Sequence, residues 1–156
     1  MFGLSSKNPV VGTASITIER PIDEVFRFIG ADFFQNYPKW SPEVVQLESL
    51  TEGPVKLGTR ARQVRVDQGH RSDSKFEVKI YELDKKLCFS GVVDPYRCTY
   101  EVAELNSGKT TRLTFTFELL EIQMFMRPFE KLIRVVVQDG ADRTVRNIKR
   151  LIDSNR

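Results

Sequence analysis

The stretch TASITIERPIDEVFRFIG, residues 13–30, places a candidate strand directly before a short amphipathic helix. Small or β-branched apolar residues alternate with polar ones over residues 13–19, as in a strand with one buried face. Pro21 then occupies a first helical position, and apolar residues recur at helical spacing as far as Gly30. The sequence therefore predicts a strand followed at once by a helix that ends near Gly30.

Residues 31–42 predict a second short helix and a loop, because several aromatic residues lie there between helix-breaking residues. Pro38 and Pro42 stand on either side of Trp40. We consider two roles for this tryptophan: a mobile lid at the entrance of a binding site, or an anchor that pins the loop onto the core.

Six strand-like segments follow, each bounded by turn residues. They cover residues 44–50, 59–67, 75–83, 86–92, 96–105 and 110–120. The short turns between successive strands indicate an antiparallel meander. The alternation of apolar and polar residues along them indicates one apolar face and one wet face.

A long helix is predicted over residues 128–152, where apolar residues form one broad stripe at helical spacing. At about 1.5 Å per residue, this helix can cross an entire sheet. Gly140 lies within the stripe, at a cost of roughly 1 kcal/mol relative to alanine. Two accounts of this glycine stay open: close packing of the helix backbone against a strand, or a missing side chain that leaves room for a ligand.

The composition is that of a globular protein, with 40% hydrophobic and 29% charged residues in a chain of 156. This length suits a single domain over residues 1–156, in which residues 1–12 are a candidate flexible segment. A net charge of +3 is too small to indicate a nucleic-acid partner. No run of about 20 apolar residues and no secretion signal is present, so we expect a cytoplasmic protein without integral membrane association.

Several short motifs along the chain resemble those of one protein family. They are Pro21, Glu24, Val25 and Phe26 at the first helix, Trp40-Ser41-Pro42 after the second, Gly58-Thr59 at the third strand and Thr111-Arg112-Leu113 at the last strand. Together with the order of elements, they make the chain resemble the polyketide cyclase/dehydrase and lipid-transport group of the START-like, or birch-allergen-like (SRPBCC), superfamily. The resemblance implies an α+β helix-grip fold: a seven-stranded antiparallel curved sheet wrapped around a long C-terminal helix, with two short helices between strands one and two.

The resemblance also implies a ligand cavity between the sheet and the long helix. The candidate ligand-binding residues are Phe33, Trp40, Val64, Phe76, Val78, Phe89, Tyr100, Phe115, Phe117, Phe129, Ile133, Val136, Val137 and Gly140. A pocket of this kind would bind mainly by burying apolar surface, at about 25 cal/mol per Å². In the alternative interpretation, the same side chains fill a solid core.

The sequence offers few residues for catalysis or metal binding. The single histidine, His70, lies beside a predicted turn, so we expect a surface residue and no metal site. No phosphate-binding loop is present, and we expect no cofactor. If the protein is an enzyme, the candidate catalytic groups are Gln63, Arg65, Tyr81, Tyr96 and Tyr100. An alternative places Arg65 and Tyr81 on the wet face of the sheet, although a strand bulge would reverse the facing of residues beyond it.

Cys88 and Cys98 are candidates to face each other across a hairpin that turns near residues 93–95. In a reducing compartment we expect them to stay thiols.

Three functions stay open on the sequence alone. The leading hypothesis is binding or transport of a hydrophobic small molecule, lipid-, isoprenoid- or polyketide-like, by a monomer or homodimer without turnover. The second is a cyclase or dehydratase of aromatic polyketide type, which polar side chains converging in the cavity would favour. The third is a protein–protein interaction module, which a large exposed apolar patch would indicate.

Overall fold

The computed structural model describes residues 5–6 and 8–154, and within them seven strands form one antiparallel sheet. These strands are β1 Val10–Ile18, β2 Val44–Ser49, β3 Arg60–Asp67, β4 His70–Glu82, β5 Lys86–Gly91, β6 Tyr96–Leu105 and β7 Thr110–Leu119. Their order across the sheet is β1-β7-β6-β5-β4-β3-β2, so β1 and β2 are its two edges.

The helices of the described chain are α1 Ile22–Phe26, α2 Phe33–Trp40 and α3 Glu130–Ser154. A π-helical turn, Arg27–Ala31, continues α1, and a 3₁₀ segment, Met124–Phe129, precedes α3. A separate two-residue ribbon pairs Ser5–Ser6 with Ile122–Gln123. The predicted helix-grip fold is confirmed: a curved seven-stranded sheet packs against a long C-terminal helix, and two short helices lie between its first and second strands.

Two strands begin earlier than predicted. β1 begins at Val10, which is fully buried, so residues 10–12 belong to the sheet and not to a flexible segment. Residues 1–4 and 7 of that predicted segment lie outside the described residues. β4 begins at His70, because the polar residues 70–74 pair with β3. His70 itself is exposed, as expected. The lack of apolar alternation in residues 70–74 hid this half of the strand.

A β-bulge in β4 changes which side chains face the core. The register of β4 against β5 shifts between Val78 and Ile80. Val78 and Tyr81 therefore both face the interior, and the Tyr81 ring lies 5.5 Å from the ring of Phe26. Regular alternation would have turned Tyr81 outward. The alternative that Tyr81 lies on the wet face is wrong for this reason.

Cys88 and Cys98 do not face each other. Cys98 pairs with Phe89 across the β5–β6 hairpin, and Cys88 pairs with Thr99. Because paired residues share a face and successive residues alternate, the two thiols lie on opposite faces of the sheet. Both are free and buried. The expected pairing across the hairpin is therefore wrong.

The helix α3 lies unevenly on the sheet. It approaches β1 so closely that a Cβ atom on Gly12 would lie 2.7 Å from the carbonyl oxygen of Val137. Gln138 fastens the same contact, since its Nε2 donates to the Thr13 carbonyl oxygen at 2.8 Å. A Cβ atom on Gly140, in contrast, would meet no atom beyond its own stretch of helix within 4 Å. Gly140 therefore leaves open space, and the close backbone contact occurs at Gly12 instead.

Candidate functional site

A cavity of about 410 Å³ lies between α3 and the sheet. This volume is within the range of about 300–1,000 Å³ that is usual for small-molecule sites. The lining residues that are also exposed mark where the cavity opens to solvent: Asp67, Asp94, Val136 and Arg143. The space between helix and sheet is therefore not a solid core.

The two sides of the cavity differ in polarity. The apolar side is formed by β7 and by residues 136–141 of α3, and it contains Phe115, Phe117, Leu119, Val136, Val137, Gly140 and Ala141. The following turns of α3 add the polar residues Arg143, Thr144 and Asn147 to the lining. The polar side is formed by β3 and β4 and contains Gln63, Arg65, Asp67, Ser72 and Ser74. These polar residues recur at every second position, as expected of one face of a strand. An amphipathic molecule fits such a lining.

A chain of hydrogen bonds joins the polar side to two tyrosines. The Tyr37 hydroxyl donates to Gln63 Oε1 at 3.0 Å, and Gln63 Nε2 donates to the Tyr96 hydroxyl oxygen at 3.2 Å. Gln63 is 3% exposed, so both of its polar atoms depend on these partners. The amide of Gln63 is thereby held in one orientation at the cavity wall.

Trp40 lines the cavity, and its contacts favour the anchor over the mobile lid. Its side chain is 1% exposed, and its Nε1 donates to the Tyr100 hydroxyl oxygen at 3.2 Å. Its carbonyl oxygen accepts a hydrogen bond from Asn147 Nδ2 at 3.0 Å, which ties α2 to α3. One hydrogen bond thus holds the indole and another holds the backbone of Trp40.

Arg65 brings a positive charge to the polar side, and carboxylates compensate it. Its Nη2 lies 2.9 Å from Asp67 Oδ1 and 4.0 Å from Glu43 Oε1. Burial alone would lower the pKa of the guanidinium. The hydrogen bond with Asp67 and the charges of Tyr37, Asp67 and Glu43 together outweigh burial, and the pKa lies above its usual value. Arg65 is thus a fixed cation whose charge is already paired.

Burial raises the pKa of the phenols of Tyr37, Tyr96 and Tyr100, and it also raises the pKa of the Cys98 thiol. The physical cause is desolvation, which disfavours the charged form of each group. All four side chains line the cavity. They are therefore neutral near pH 7 and act as hydrogen-bonding groups there.

The four polar residues of the predicted site all line the cavity: Gln63, Arg65, Tyr96 and Tyr100. The alternative that Arg65 lies on the wet face is wrong, because β3 turns it inward together with Gln63. Tyr81 faces the core elsewhere and is not a lining residue. A catalytic role for any of these residues stays a prediction.

Half of the predicted ligand-binding residues line the cavity: Trp40, Tyr100, Phe115, Phe117, Val136, Val137 and Gly140. Four others lie instead in the packed core: Phe33, Phe76, Val78 and Phe89. The reason is that α2 covers this part of the sheet. The Phe33 ring lies 5.5 Å from that of Phe89, and the rings of Phe76 and Phe89 are 4.4 Å apart.

The remaining three predicted residues lie away from the cavity for separate reasons. Val64 is buried on the other face of β3, since its neighbours Gln63 and Arg65 face the cavity. Phe129 is 53% exposed, because it precedes α3 in the 3₁₀ segment. Ile133 is half-buried near the start of α3 and is not a lining residue.

Sequence reasoning missed most of the polar lining. The missed residues of polar or thiol character are Tyr37, Ser41, Glu43, Asp67, Ser72, Ser74, Asp94, Cys98, Arg143, Thr144 and Asn147. The apolar lining residues Leu119 and Ala141 were missed as well. A signal existed for some of them. Asp67 continues the every-second-residue spacing of Gln63 and Arg65, while Thr144 and Asn147 follow Gly140 at helical spacing.

Apolar side chains are exposed on the first half of α3 and on the segment before it. They are Met124, Phe125, Phe129, Leu132, Val135 and Val136. Val136 also belongs to the opening of the cavity, so this surface adjoins the site. An exposed apolar patch of this kind would be expected of a protein–protein interaction module. No helix in the described part of the chain is long and apolar enough to cross a membrane.

The fold and the cavity define a helix-grip protein with a ligand-binding space between its sheet and its long helix. The family model described as polyketide cyclase/dehydrase and lipid transport matches residues 9–153. The chain therefore belongs to this family. No sequence among curated proteins matches it.

Solved structures with the same fold include enzymes of different kinds. The Zhui aromatase/cyclase from Streptomyces sp. R1128 has a TM-score of 0.75 at 13% identity, with 94% of each chain covered. Truncated norcoclaurine synthase from Thalictrum flavum has a TM-score of 0.71 at 15% identity, with 97% of this chain and 98% of that chain covered. A START superfamily protein from Mycobacterium smegmatis has a TM-score of 0.74 at 11% identity, with 92% and 97% covered. At these identities, the likeness establishes the fold.

Proposed function

We propose that this protein binds and carries a hydrophobic small molecule, lipid-, isoprenoid- or polyketide-like, in the cavity between the sheet and α3. The observation that carries the proposal is the open space at Gly140 in a cavity of about 410 Å³ with one apolar side. A ligand that buries about 300 Å² of apolar surface would gain roughly 7 kcal/mol. The entropic costs of association reduce this gain, but a preformed cavity keeps them low.

Binding without turnover is favoured by the chemistry of the buried lining. The phenols and the thiol there are held neutral, because burial raises the pKa of each. They suit hydrogen bonding to a ligand better than proton abstraction from it. Arg65 is compensated by Asp67, so its charge is not free to stabilise a developing anion.

A cyclase or dehydratase is the second candidate, and a specific observation favours it. Gln63, Arg65, Tyr96 and Tyr100 converge on one cavity, where they could fold and orient a flexible polyketide-like substrate. The aromatase/cyclase with the same fold makes this chemistry compatible with the architecture. Membership in the family supports both candidates equally.

Native mass spectrometry of the purified protein, followed by denaturing extraction, tests the proposal directly. We expect a lipid, isoprenoid or aromatic compound to co-purify at a defined stoichiometry. Incubation of that compound with fresh protein separates the two candidates. Recovery of the same compound, unchanged in both mass and chromatographic retention, supports carriage. Loss of the mass of water, or a changed retention at constant mass from a cyclised isomer, would establish an enzyme.

A pair of variants at Gly140 ties the binding to the cavity. Gly140→Phe would place a large side chain in the open space, and Gly140→Ala is its matched control. We expect the apolar fluorescent probe N-phenyl-1-naphthylamine to bind the wild type and Gly140→Ala with similar affinity. Gly140→Phe should weaken binding by about tenfold or more. Equal binding by all three proteins would place the probe outside the cavity and contradict the proposal.

A further inference from the structure

Two phenol groups on β6 face the cavity with unpaired protons. The Tyr100 hydroxyl oxygen accepts a hydrogen bond from Trp40 Nε1, and the Tyr96 hydroxyl oxygen accepts one from Gln63 Nε2, each at 3.2 Å. A phenol carries one proton to donate in addition to the lone pairs that accept. Within residues 5–6 and 8–154, neither proton has an acceptor. Each proton is therefore available to a ligand.

The neighbours of these two phenols hold them in place. Tyr100 is 1% exposed, and its ring lies 4.8 Å from that of Phe115. The Tyr96 ring is stacked against that of Phe117 at 6.0 Å. With the ring packed and the oxygen fixed by an N–H donor, each hydroxyl can turn its proton only toward the remaining space. Donors ordered in advance lose little entropy when a ligand binds.

The two phenols come from different positions along one strand. Tyr96 and Tyr100 occupy the same face of β6, and at about 3.3 Å per residue their Cα atoms are roughly 13 Å apart. Cys98 lies between them on that face, and Phe117 is opposite Cys98 on β7. The two phenols are thus attached to β6 on either side of Cys98.

From this arrangement we infer that the ligand has an apolar framework and two neutral acceptor oxygens, such as carbonyls, one for Tyr96 and one for Tyr100. The inference rests on the proposed function, since it concerns the ligand of the same cavity. Neutral oxygens fit better than carboxylates in the interior of the cavity because Arg65 is already paired with Asp67, while Arg143, also a lining residue, lies at the exposed opening. A carboxylate buried without a free cation would be costly.

A matched set of naphthalenes tests the inference by equilibrium dialysis. The set comprises 2,6-diacetylnaphthalene, 2-acetyl-6-ethylnaphthalene and 2,6-diethylnaphthalene, which share one apolar framework and carry two, one and no carbonyl oxygens. We expect affinity to rise about three- to tenfold with each carbonyl, the range that one net hydrogen bond provides. Equal affinity for all three compounds would overturn the inference and leave the proposed function standing.

Phenylalanine variants assign the effect to the two donors. Tyr96→Phe and Tyr100→Phe should each lower the affinity for the diacetyl compound about three- to tenfold and leave the affinity for the diethyl compound unchanged. Tyr81→Phe is the control, because Tyr81 packs against Phe26 and does not line the cavity. If both cavity variants prefer the diacetyl over the diethyl compound as strongly as the wild type does, the two phenols are not the donors and the assignment is overturned.

Two further readouts keep the test decisive. Tyr100→Phe removes the acceptor of the Trp40 N–H, so its fold is checked by circular dichroism. If it does not fold, Tyr96→Phe and the graded carbonyl series on the wild type still decide the question. Failure of all three naphthalenes and of N-phenyl-1-naphthylamine to bind would instead overturn the proposed function, and the inference with it.

Discussion

Gly12 and Gly140 are two glycines of this fold with opposite surroundings. A Cβ atom on Gly12 would lie 2.7 Å from the Val137 carbonyl oxygen and 2.8 Å from a methyl carbon of the Val137 side chain. Backbone atoms can move away from such a contact only at a high energetic cost. The absence of a side chain at Gly12 therefore allows α3 to lie against β1. At Gly140 there is nothing to meet within 4 Å outside the helix itself, and the missing side chain adds to the cavity.

This contrast predicts opposite effects of the same substitution. Gly12→Ala should lower the free energy of unfolding by about 1–3 kcal/mol, because it overpacks the contact with Val137. Gly140→Ala should raise it by up to about 1 kcal/mol, because alanine is the better helix former and has space. Urea denaturation of both variants beside the wild type measures the difference. A destabilised Gly140→Ala with an unaffected Gly12→Ala would contradict this placement of α3.

At the scale of the element, α3 changes its surroundings along its length. Its second half buries Ala141, Val145, Ile148 and Ile152 against the rest of the protein. Its first half exposes Leu132 and Val135, although both belong to an apolar stretch. The helix therefore packs through one half and borders the opening of the cavity with the other. Helical periodicity predicts that a stripe exists, but not how far along the helix the stripe is covered.

Substitutions in the two halves should differ in cost. Ile148→Ala removes a fully buried side chain and should lower the free energy of unfolding by about 2–5 kcal/mol. Leu132→Ser, at a position that is 62% exposed, should change it by about 0.5 kcal/mol or less. Thermal and urea unfolding of the two variants provide the comparison. A large loss in Leu132→Ser would show that its side chain is covered in solution, as in a complex of two copies.

At the scale of the whole molecule, α2 and α3 divide the space over the sheet. The aromatic side chains of α2 pack against Phe76 of β4 and Phe89 of β5, while the cavity below α3 is lined by residues of β3, β4, β6 and β7. This division buries titratable groups around the cavity, among them Tyr37, Tyr96, Tyr100 and Cys98. The stability of the fold is consequently linked to their protonation.

The direction of this linkage follows from the raised pKa values. A phenol in the unfolded chain loses its proton near pH 10, and a thiol near pH 8.5. The folded protein holds these protons to higher pH, so above those values the unfolded state binds fewer protons and the free energy of unfolding falls as pH rises. Below those pH values, the contribution of the buried phenols and thiol to the free energy of unfolding is fully present.

We therefore expect the urea concentration at the midpoint of unfolding to fall progressively from about pH 9 upward, because these groups ionise in the unfolded chain. Tyrosinate absorbance should increase sharply together with unfolding, because three of the four tyrosines cannot ionise in place. Tyr96→Phe should flatten the fall. Tyrosinate absorbance that develops fully while the protein stays folded would show that the phenols are not buried.

Much of the architecture follows from local sequence patterns. The two-residue alternation of β1 and β7, the proline and acidic residues that open α1, and the helical spacing of α3 each depend on near neighbours alone. These patterns, with the short turns, were enough to predict the order of elements. The helix-grip fold and the cavity were what the resemblance to the family implied, with a solid core left open as the alternative. Element ends were less accurate where residues such as Ser72 and Ser74 carry no apolar pattern.

The identity of the cavity wall was decided by the tertiary structure. Alternation says that Gln63 and Val64 face opposite ways, but the side that faces the cavity depends on how β3 sits in the curved sheet. Tyr81 faces the interior because of a β-bulge. Phe33 does not line the cavity, because α2 packs it against Phe89 in the core. The sequence by itself determined the elements and the family to which they belong, because local periodicity encodes burial. Only the tertiary structure decided which residues line the cavity, because register, bulges and the seating of α3 on Gly12 arise from contacts between residues far apart in the chain.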